Sequence, residues 1–390
     1  MNVDEFTPEK MGHFVPFKGI HPFTDEKYDE WSFIPNSLPN EITLSTETHN
    51  LIAEASHRLG ELEASLKRLP DPQILVRPAF FREAHSTSAM EGTYAPILEV
   101  FEGDLMAEGS RSSEIREILN YVKAAEAALE MIAEKPINLN MLSNLQGIIV
   151  EGTEGSRSNQ GEIRTTPVII GDRSRKVADA RFIPCPPGDE LIAGYSEWEK
   201  WIHSENNIPK IAKVALAHYQ FETLHPYADG NGRVGRLVIS LQLVGEKLLA
   251  LPLLNLSEWF YKDEMKYKDE LLELSKRGDF ERWISYFTGG VTEQCNRETK
   301  IIDDLIDFQA NLINELQLKK ERGIVLQLAR DLIRNPVFTV PSTAKLYGVT
   351  YPPALAAVKK LLALGVIKEL SRENVNKKRY FCPEFFQIVS

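Results

Sequence analysis

The sequence of 390 residues predicts a mainly α-helical protein with one inserted β-hairpin. Apolar residues recur at three- and four-residue spacing along most of the chain, which is the period of an amphipathic helix. One short run of β-branched residues between a glycine and a proline predicts a single pair of strands. With 43% hydrophobic residues, the chain can fill ordinary-sized cores and needs no disulfide framework.

The N-terminal half is predicted to begin with an arm and to continue as helices. Residues 1–40 are rich in Pro, Gly and aromatic residues and show neither helical nor strand period, so we expect an extended arm that lies on a core. Helical spacing predicts helices over residues 41–68 and 113–133.

A β-hairpin is predicted inside this helical chain. Its first strand is the run from Thr165 to Ile170, and its second strand is Arg181 to Ile183, just before Pro184. The charged segment 172–176 is the expected turn between the strands.

Two helices flank the most unusual segment of the sequence. Helical spacing from Ile211 continues in phase to His225, where Pro226 ends the helix because proline cannot continue it. The next helix follows Asn231, and another is predicted from about residue 301 to 318. His225 is therefore placed at a helix end, at the start of a polar loop.

Residues 336–390 are predicted to form a small domain with the element order of a winged helix-turn-helix. Its segments are helices 342–346 and 353–364, strands 366–370 and 379–382, and turns at 347–349 and 371–378. Residues 321–390 carry a net charge of +6 against −17 for the rest, which favours nucleic acid or an acidic partner. The second helix offers only Lys359 and Lys360 toward bases or phosphates, which is little for specific readout.

The cysteine content and the N-terminal residues indicate a cytoplasmic protein. The three cysteines are few and scattered, and no C-x-x-C pair occurs. The first ten residues carry acid instead of the basic start of an export signal. The most apolar stretch, residues 237–256, is interrupted by two charged residues and a proline, so we expect no membrane span.

The densest chemical motif is the segment from His225 to Arg236, HPYADGNGRVGR. Gly230 and Gly232 permit dihedral angles that let backbone N–H groups converge at the start of the next helix, which is an anion-binding arrangement. Arg233 and Arg236 lie one helical turn apart and can reach further phosphate oxygens.

Two further groups in this motif suit phosphoryl or nucleotidyl transfer. Asp229 is a hard oxygen ligand for a phosphate-bound Mg²⁺. His225 has an ordinary pKa near neutrality and can take a proton from an attacking hydroxyl. The segment therefore predicts transfer of a phosphate-containing group.

Other interpretations of these residues stay open. The Asp-Gly and Asn-Gly pairs at 229–232 are strong signals of a plain turn. The glycines at 230–235 match the dinucleotide fingerprint, although a helix-periodic segment precedes them where that fingerprint needs a strand. Glu54-x-x-His57 and Glu222-x-x-His225 imitate di-iron ligands without identifiable partner helices. An EF-hand is excluded, because Arg, Val and Ser stand where its ligand, glycine and glutamate are needed.

Residues 225–236 resemble the motif of the Fic (Fic/Doc) family, His-x-Phe-x-Asp/Glu-Gly-Asn-Gly-Arg-x-x-Arg, with Tyr227 in place of phenylalanine. The resemblance runs from about Phe80 to Phe287. It includes Gly161-Glu-Ile-Arg164 and the hairpin after it, which is similar to the family's target-docking flap. It implies a Fic helical core with a β-hairpin flap. The expected division is an arm with helices (1–112), the Fic core (113–300), and a linker helix with the winged helix (301–390).

The resemblance implies a protein adenylyltransferase that uses ATP and Mg²⁺ to transfer AMP to Ser, Thr or Tyr hydroxyls of target proteins and of itself. His225 would deprotonate the hydroxyl that attacks the α-phosphate, and Asp229 would hold Mg²⁺. The implied α-phosphate ligands are Asn231 and the backbone of Gly230 and Gly232, and the implied β- and γ-phosphate ligands are Arg233 and Arg236. A homodimer also fits the resemblance.

Tyr267 lies where many relatives carry a Tyr-Tyr pair beside the adenine, but Lys268 follows it here. Packing in the core is the other interpretation of Tyr267. The flap residues Thr165, Thr166, Val168 and Ile169 would bind the target segment by strand addition.

Thr87-Ser-Ala-Met-Glu91-Gly resembles the family's inhibitory motif, Ser/Thr-x-x-x-Glu-Gly/Asn, and implies an inhibitory helix over about residues 80–95. A Glu91 carboxylate paired with Arg236 would occupy the guanidinium that the γ-phosphate needs. Ser88 and Glu91 also fit a helix capping box.

Two alternative functions stay open. Some relatives of this fold transfer another phosphate-containing group or reverse the modification, and residues 225–236 do not separate these reactions. The protein could also be a winged-helix DNA-binding regulator with a nucleotide-sensing core, because its C-terminal segment is basic.

Overall fold

The computed structural model describes residues 1–7, 11–20, 27–153, 155, 160–171, 177–370 and 378–390, which are mostly helical. The helices are α1 (Thr46–Leu66), α2 (Val76–Met90), α3 (Ile97–Asp104), α4 (Ser113–Glu134), α5 (Leu139–Val150), α6 (Asp189–His203), α7 (Lys210–Leu224), α8 (Asn231–Gly245), α9 (Leu256–Lys262), α10 (Glu264–Arg277), α11 (Phe280–Leu318), α12 (Ile324–Asp331), α13 (Val340–Leu346), α14 (Tyr351–Ala363) and α15 (Pro383–Val389). The strands are β1 (Gly12–Ile20), β2 (Lys27–Pro35), β3 (Ile170–Gly171), β4 (Ala180–Phe182), β5 (Val337–Thr339), β6 (Lys368–Leu370) and β7 (Arg379–Phe381). The mainly α-helical class is confirmed.

Helices α7 and α8 form the centre of the molecule. Nearly all of α7 is buried, and α8 is buried from Val234 to Leu243. Helices α6 and α11 pack on α7, and α4 and α5 pack on α8. Because these neighbours cover α7 and α8 on several sides, the loop between them has a rigid support.

Residues 12–20 and 27–35 form two paired strands where the sequence predicted an arm without strands. Strands β1 and β2 pair antiparallel, and the backbone N–H of Phe33 donates to the carbonyl of Ile183 at 2.9 Å. The ring of Phe33 packs against Phe6 and Phe14. The prediction was wrong because proline and glycine interrupt the strand period, whereas cross-strand aromatic contacts stabilise the pairing.

Strands β3 and β4 form the predicted internal hairpin, but the first strand begins later than predicted. Within the described part of the chain, residues 165–169 make no strand pairing, and β3 comprises Ile170 and Gly171. Pro167 lies in the unpaired segment and has no N–H to donate to a partner strand, which explains the difference. The predicted turn at 172–176 lies outside the described residues.

Helix α11 spans 39 residues, whereas the sequence predicted a helix only from about residue 301. Gly289 and Gly290 weaken the local helix propensity in its first half. A Cβ on Gly290 would lie 2.4 Å from the indole ring of Trp259. The close packing of α9 on α11 therefore requires glycine at this position.

The C-terminal region has α13, α14, β6 and β7 near their predicted positions. The short elements β5 and α15 were not predicted from the sequence, and β5 pairs with β7 to give the sheet order β5-β7-β6. Phe385 and Phe386 of α15 pack edge-on against Phe101 of α3. Residues 371–377 lie outside the described part. The winged-helix assignment and the domain bounds at 112 and 300 stay predictions.

All three cysteines are buried free thiols. No helix in the described part of the chain combines the length and the apolar character that a membrane crossing requires.

Candidate active site

The loop between α7 and α8 is fixed by hydrogen bonds from buried side chains. Asn231 is buried, and its side-chain amide accepts from the N–H of Tyr227 at 2.8 Å and donates to the carbonyl of Tyr227 at 2.7 Å. Gln146 of α5 donates to the carbonyl of Asp229 at 3.0 Å. His225 and Gly230 adopt left-handed conformations at the two helix ends, with φ of 52° and 80°. Hydrogen bonds within the protein therefore fix the shape of the loop.

Arg164 ties the base of the flap to this loop. Its buried guanidinium donates to the carbonyl oxygens of His225 at 2.7 Å and of Leu224 at 3.3 Å, and also to that of Cys185. Its own backbone N–H donates to the carbonyl of Pro226 at 2.9 Å. From the sequence, Arg164 was part of a segment similar to the Fic family and had no assigned role. In the structure, its hydrogen bonds hold the end of α7.

His225 is held as a neutral imidazole. Burial lowers the pKa of His225 to about 4, and the neighbouring Arg164 adds to the shift. Nδ1 lies 3.3 Å from the carbonyl oxygen of Glu222, which can only accept, so the proton belongs on Nδ1. Nε2 therefore carries the lone pair, as a general base requires.

His225 lines a cavity of about 320 Å³, which is within the size range of small-molecule sites. The polar side chains around this cavity come from β4, α7, α8, α10 and the residue after α2: Glu91, Arg181, Glu222, Thr223, Arg236, Tyr267, Lys268 and Ser275. Apolar side chains from α2, the flap and α10 complete it: Met90, Ile169, Ile170, Phe182, Leu271 and Leu272. One part of the wall is thus charged and the other part is apolar.

Arg236 is buried at the charged part of the cavity and is paired with Glu91. Its Nη2 donates to Oε1 of Glu91 at 2.5 Å, and its Nε donates to Oγ1 of Thr87 at 2.6 Å. Partial loss of hydration opposes ionisation of the Glu91 carboxyl, but the contact with Arg236 outweighs it and holds the pKa of Glu91 below its usual range. A Cβ on Gly232 would lie 2.4 Å from Glu91, so this glycine makes room for the pair.

Glu91 follows the last residue of α2, which covers 76–90 instead of the predicted 80–95. Ser88 lies in the last turn of this helix, so the alternative of an N-terminal capping box is wrong. Gly92 has a φ of 87°, a conformation that favours glycine directly after the carboxylate.

Arg233 is also buried and paired with carboxylates. Its Nη1 donates to Oε1 of Glu117 at 2.6 Å, and its Nη2 donates to Oδ1 of Asp229 at 3.2 Å. Oδ1 of Asp229 also accepts the N–H of Gly230 at 2.5 Å. Both arginines predicted to bind phosphate therefore have acidic partners.

Asp229 is a partly exposed carboxylate, and the described residues contain no group of three or more His, Cys, Asp or Glu side chains arranged to hold a metal ion. The di-iron alternative is therefore unsupported. Mg²⁺ is typically held by one or two carboxylates together with substrate phosphates and waters, so Asp229 fits a metal that arrives with a nucleotide.

Tyr267 belongs to an aromatic cluster and also borders the cavity. Its ring stacks on Phe260 at 4.3 Å, and its hydroxyl lies 2.8 Å from Nε2 of the buried His218. Lys268, the next residue, lines the same cavity. Both interpretations of Tyr267 from the sequence thus fit its position.

Of the four predicted flap residues, Ile169 reaches the cavity wall. Thr165 and Thr166 are exposed, and Val168 is partly buried in the irregular segment before β3. Three polar residues of the cavity wall were not predicted as site residues from the sequence: Arg181, Glu222 and Lys268. The only sequence signal for Glu222 was its position one helical turn before His225.

Comparisons with known proteins agree with this geometry. Residues 49–130 match the family described as Fic/DOC family N-terminal, and residues 136–243 match the Fic/DOC family. The chain therefore belongs to the Fic family.

Among curated proteins, the chain is 26% identical over 293 residues to the protein adenylyltransferase Fic of Drosophila grimshawi, covering 72% of this chain and 54% of the relative. The chain spans about half the length of the curated relatives it matches.

Among solved structures, a Fic family protein from Desulfovibrio desulfuricans G20 is similar, with a TM-score of 0.59, 19% identity, and coverage of 87% of this chain and 97% of that chain. Residues 134–508 of Fic-1 from C. elegans give a TM-score of 0.50 at 19% identity, covering 65% and 72%. At these identities the likeness shows the fold.

Proposed function

We propose that this protein is an ATP-dependent protein adenylyltransferase that transfers AMP to hydroxyl side chains of a target protein and of itself. The observation that carries the proposal is that the neutral imidazole of His225 and the guanidinium of Arg236 line one cavity beside the start of α8. The curated relatives named protein adenylyltransferases support the same reaction.

The start of α8 suits the phosphates of ATP. Helix N-termini present free N–H groups and a partial positive charge, and the missing side chain at Gly232 leaves room that Glu91 and Arg236 now occupy and that an anion would take in place of Glu91. Arg236 would bind a terminal phosphate once Glu91 leaves it. Arg233 would add charge beside the phosphates while Glu117 keeps it in place. Asn231 would act by shaping the loop, since both ends of its amide bind the backbone of Tyr227.

The apolar part of the cavity suits the nucleoside. Ile169, Phe182 and Leu271 supply apolar surface that a base can cover, and the ring of Tyr267 lies beside them. The flap residues Thr165, Thr166, Val168 and Ile169 would hold the target segment next to the cavity.

In the proposed reaction, Nε2 of His225 accepts the proton of a target Ser, Thr or Tyr hydroxyl. The hydroxyl oxygen forms a bond to the α-phosphorus, and the bond from that phosphorus to the bridging oxygen of the β-phosphate breaks. Pyrophosphate leaves with the electron pair. Asp229 would hold Mg²⁺, which neutralises phosphate charge when it is bound.

We also propose that Glu91 inhibits this reaction. Its carboxylate occupies the guanidinium group of Arg236 that a terminal phosphate would bind. ATP could then enter without its reactive geometry, because the triphosphate lacks one anchor.

Incubation with ATP labelled at the α-phosphate tests both proposals. The Glu91→Gly variant should become labelled or should label added protein, whereas the unaltered protein should label weakly. The matched control is Glu91→Gly/His225→Ala, which should lose the label. Label from γ-labelled ATP instead would show transfer of another phosphate-containing group, and bound ATP without any label would contradict the proposal.

A further inference from the structure

Glu222 is a carboxyl group that the proposed chemistry does not use. It lies on α7, three residues before His225, and lines the same cavity. Its Oε1 atom is buried and has no hydrogen-bond partner among the described residues. An unpartnered carboxyl oxygen inside a binding cavity is costly, so its presence calls for a physical explanation.

The fold makes room for this carboxyl at the crossing of α7 and α8. A Cβ on Gly235 would lie only 2.4 Å from Oε1 of Glu222. Any larger residue at this position would push the carboxyl away from α8. Glu222 therefore lies directly against the backbone of the residue that precedes Arg236.

The positive charge of Arg236 acts on the carboxyl groups of both Glu222 and Glu91. Burial raises the pKa of Glu222 to about 7, where Arg236 opposes the shift and the charge of Glu91 adds to it. The pKa of Glu91 is shifted in the opposite direction, to a lower value, because its contact with Arg236 keeps it ionised. When two carboxyl groups lie near one cation, one of them is ionised and the other stays protonated. The other titratable or charged groups on the cavity wall are His225, Tyr267, Lys268 and Arg181.

We propose that Glu222 is a second counter-ion of Arg236, which stays protonated while Glu91 holds the guanidinium and ionises when Glu91 withdraws. On withdrawal, the O–H bond of the Glu222 carboxyl breaks and the proton passes to solvent. The resulting carboxylate balances the buried guanidinium until phosphate arrives. Glu222 is thus a positioning residue that acts through Arg236, and this inference rests on the proposed departure of Glu91 from Arg236.

The charge of Glu222 affects the affinity of the site for ATP. An ionised Glu222 competes with phosphate for Arg236 and repels it, whereas a protonated Glu222 does neither. Binding of ATP to the released state therefore returns a proton to Glu222, because phosphate on Arg236 favours the neutral carboxyl. The affinity for ATP should fall as the pH rises, since this proton becomes harder to take up. His225 does not contribute in this range, because its pKa lies near 4.

Infrared spectroscopy tests the proposal without nucleotide or transfer activity. At about pH 6, the unaltered protein should show the carbonyl stretch of a protonated Glu222, identified by its loss in Glu222→Gln. In the Glu91→Gly background, introducing Glu222→Gln should remove little or no such band. Burial also raises the pKa of Glu83 to about 7, so the Glu222 band is assigned only from the difference between each protein and its Glu222→Gln variant. An equally strong Glu222 band with and without Glu91 would overturn the proposal.

The pH profile of ATP binding is the second test. From about pH 6 to 8, the dissociation constant of Mg-ATP for Glu91→Gly should rise about tenfold, and that for Glu91→Gly/Glu222→Gln should stay nearly flat. The nucleotide titrates identically with both proteins, so the difference between the profiles isolates Glu222. Glutamine has the shape of the neutral carboxyl, and equal melting temperatures of the two variants at about pH 6 would confirm intact folding.

Parallel binding profiles would overturn the inference. If ATP binds with the expected pH difference but no AMP is transferred, the proposed function fails while Glu222 keeps its assigned role. The two proposals therefore fail on different measurements.

Discussion

Arg233 and Arg236 lie one turn apart on α8, and they differ in what holds them. Both guanidinium groups are buried to the same extent, with 3% of the side chain exposed. Arg233 pairs with Glu117 inside the long helix α4 and with Asp229 of its own loop. Arg236 pairs with Glu91, which follows the last turn of α2 and has 38% of its side chain exposed.

This difference separates a permanent contact from an exchangeable one. Glu117 belongs to the helix α4, whereas Glu91 is a helix-end residue followed by a glycine with positive φ. Local opening costs less at a helix end than in a packed helix. We infer that Arg233 is structural support for the phosphate site and that Arg236 is its switch.

The largest expected effect comes from removing His225, the proposed general base. Replacing His225 by alanine in the Glu91→Gly background should lower AMP transfer about a hundredfold to ten-thousandfold, as for the loss of a general base. The rate of labelling from α-labelled ATP measures the effect. ATP binding should change little, because the phosphate contacts remain, and a variant that transfers AMP at an undiminished rate would refute the assigned role.

The next prediction compares the acidic partners of the two arginines directly. Glu91→Gln should raise AMP transfer about tenfold, because a neutral amide competes with phosphate for Arg236 less well than a carboxylate does. Glu117→Gln is the matched variant and should not raise transfer. Equal activation by both substitutions would remove the distinction between switch and support.

A smaller effect is expected on stability. Glu117→Gln should lower the free energy of unfolding by about 1–2 kcal/mol, since it weakens a charge pair at a buried guanidinium. Chemical denaturation of the unaltered and variant proteins at neutral pH measures the change. A more stable variant would show that Glu117 is not the support of Arg233.

The smallest effect concerns pH. With ATP at saturating concentration, the turnover of Glu91→Gly should stay nearly constant from neutral pH down to about pH 5 and fall as the pH approaches 4. The sign follows from the depressed pKa of His225, because the base form is lost only when the imidazole gains a proton. A fall centred near pH 6.5 would indicate an exposed histidine instead.

Much of the site could be predicted from the sequence because one continuous segment carries it. Glycine, histidine and arginine between two helices predicted a phosphate site at a helix start, and the structure has His225 and Arg236 on one cavity. Glu91 reaches Arg236 from 145 positions away, a contact that only the family resemblance suggested.

Other features could not be predicted, because they depend on contacts between distant segments. The burial of Glu222 depends on the approach of α7 to Gly235, and no local pattern reports a helix crossing. The β1–β2 hairpin depends on aromatic contacts across strands, and α11 depends on packing of Trp259 against a glycine. In each case tertiary packing overrides local propensity.

The most direct test of the account is a crystal structure of the Glu91→Gly protein with Mg²⁺ and an ATP analogue that cannot be cleaved. We expect the triphosphate at the start of α8, with a terminal phosphate on Arg236 and the imidazole of His225 beside the α-phosphate. A nucleotide bound elsewhere, or an imidazole turned away from the α-phosphate, would contradict the account.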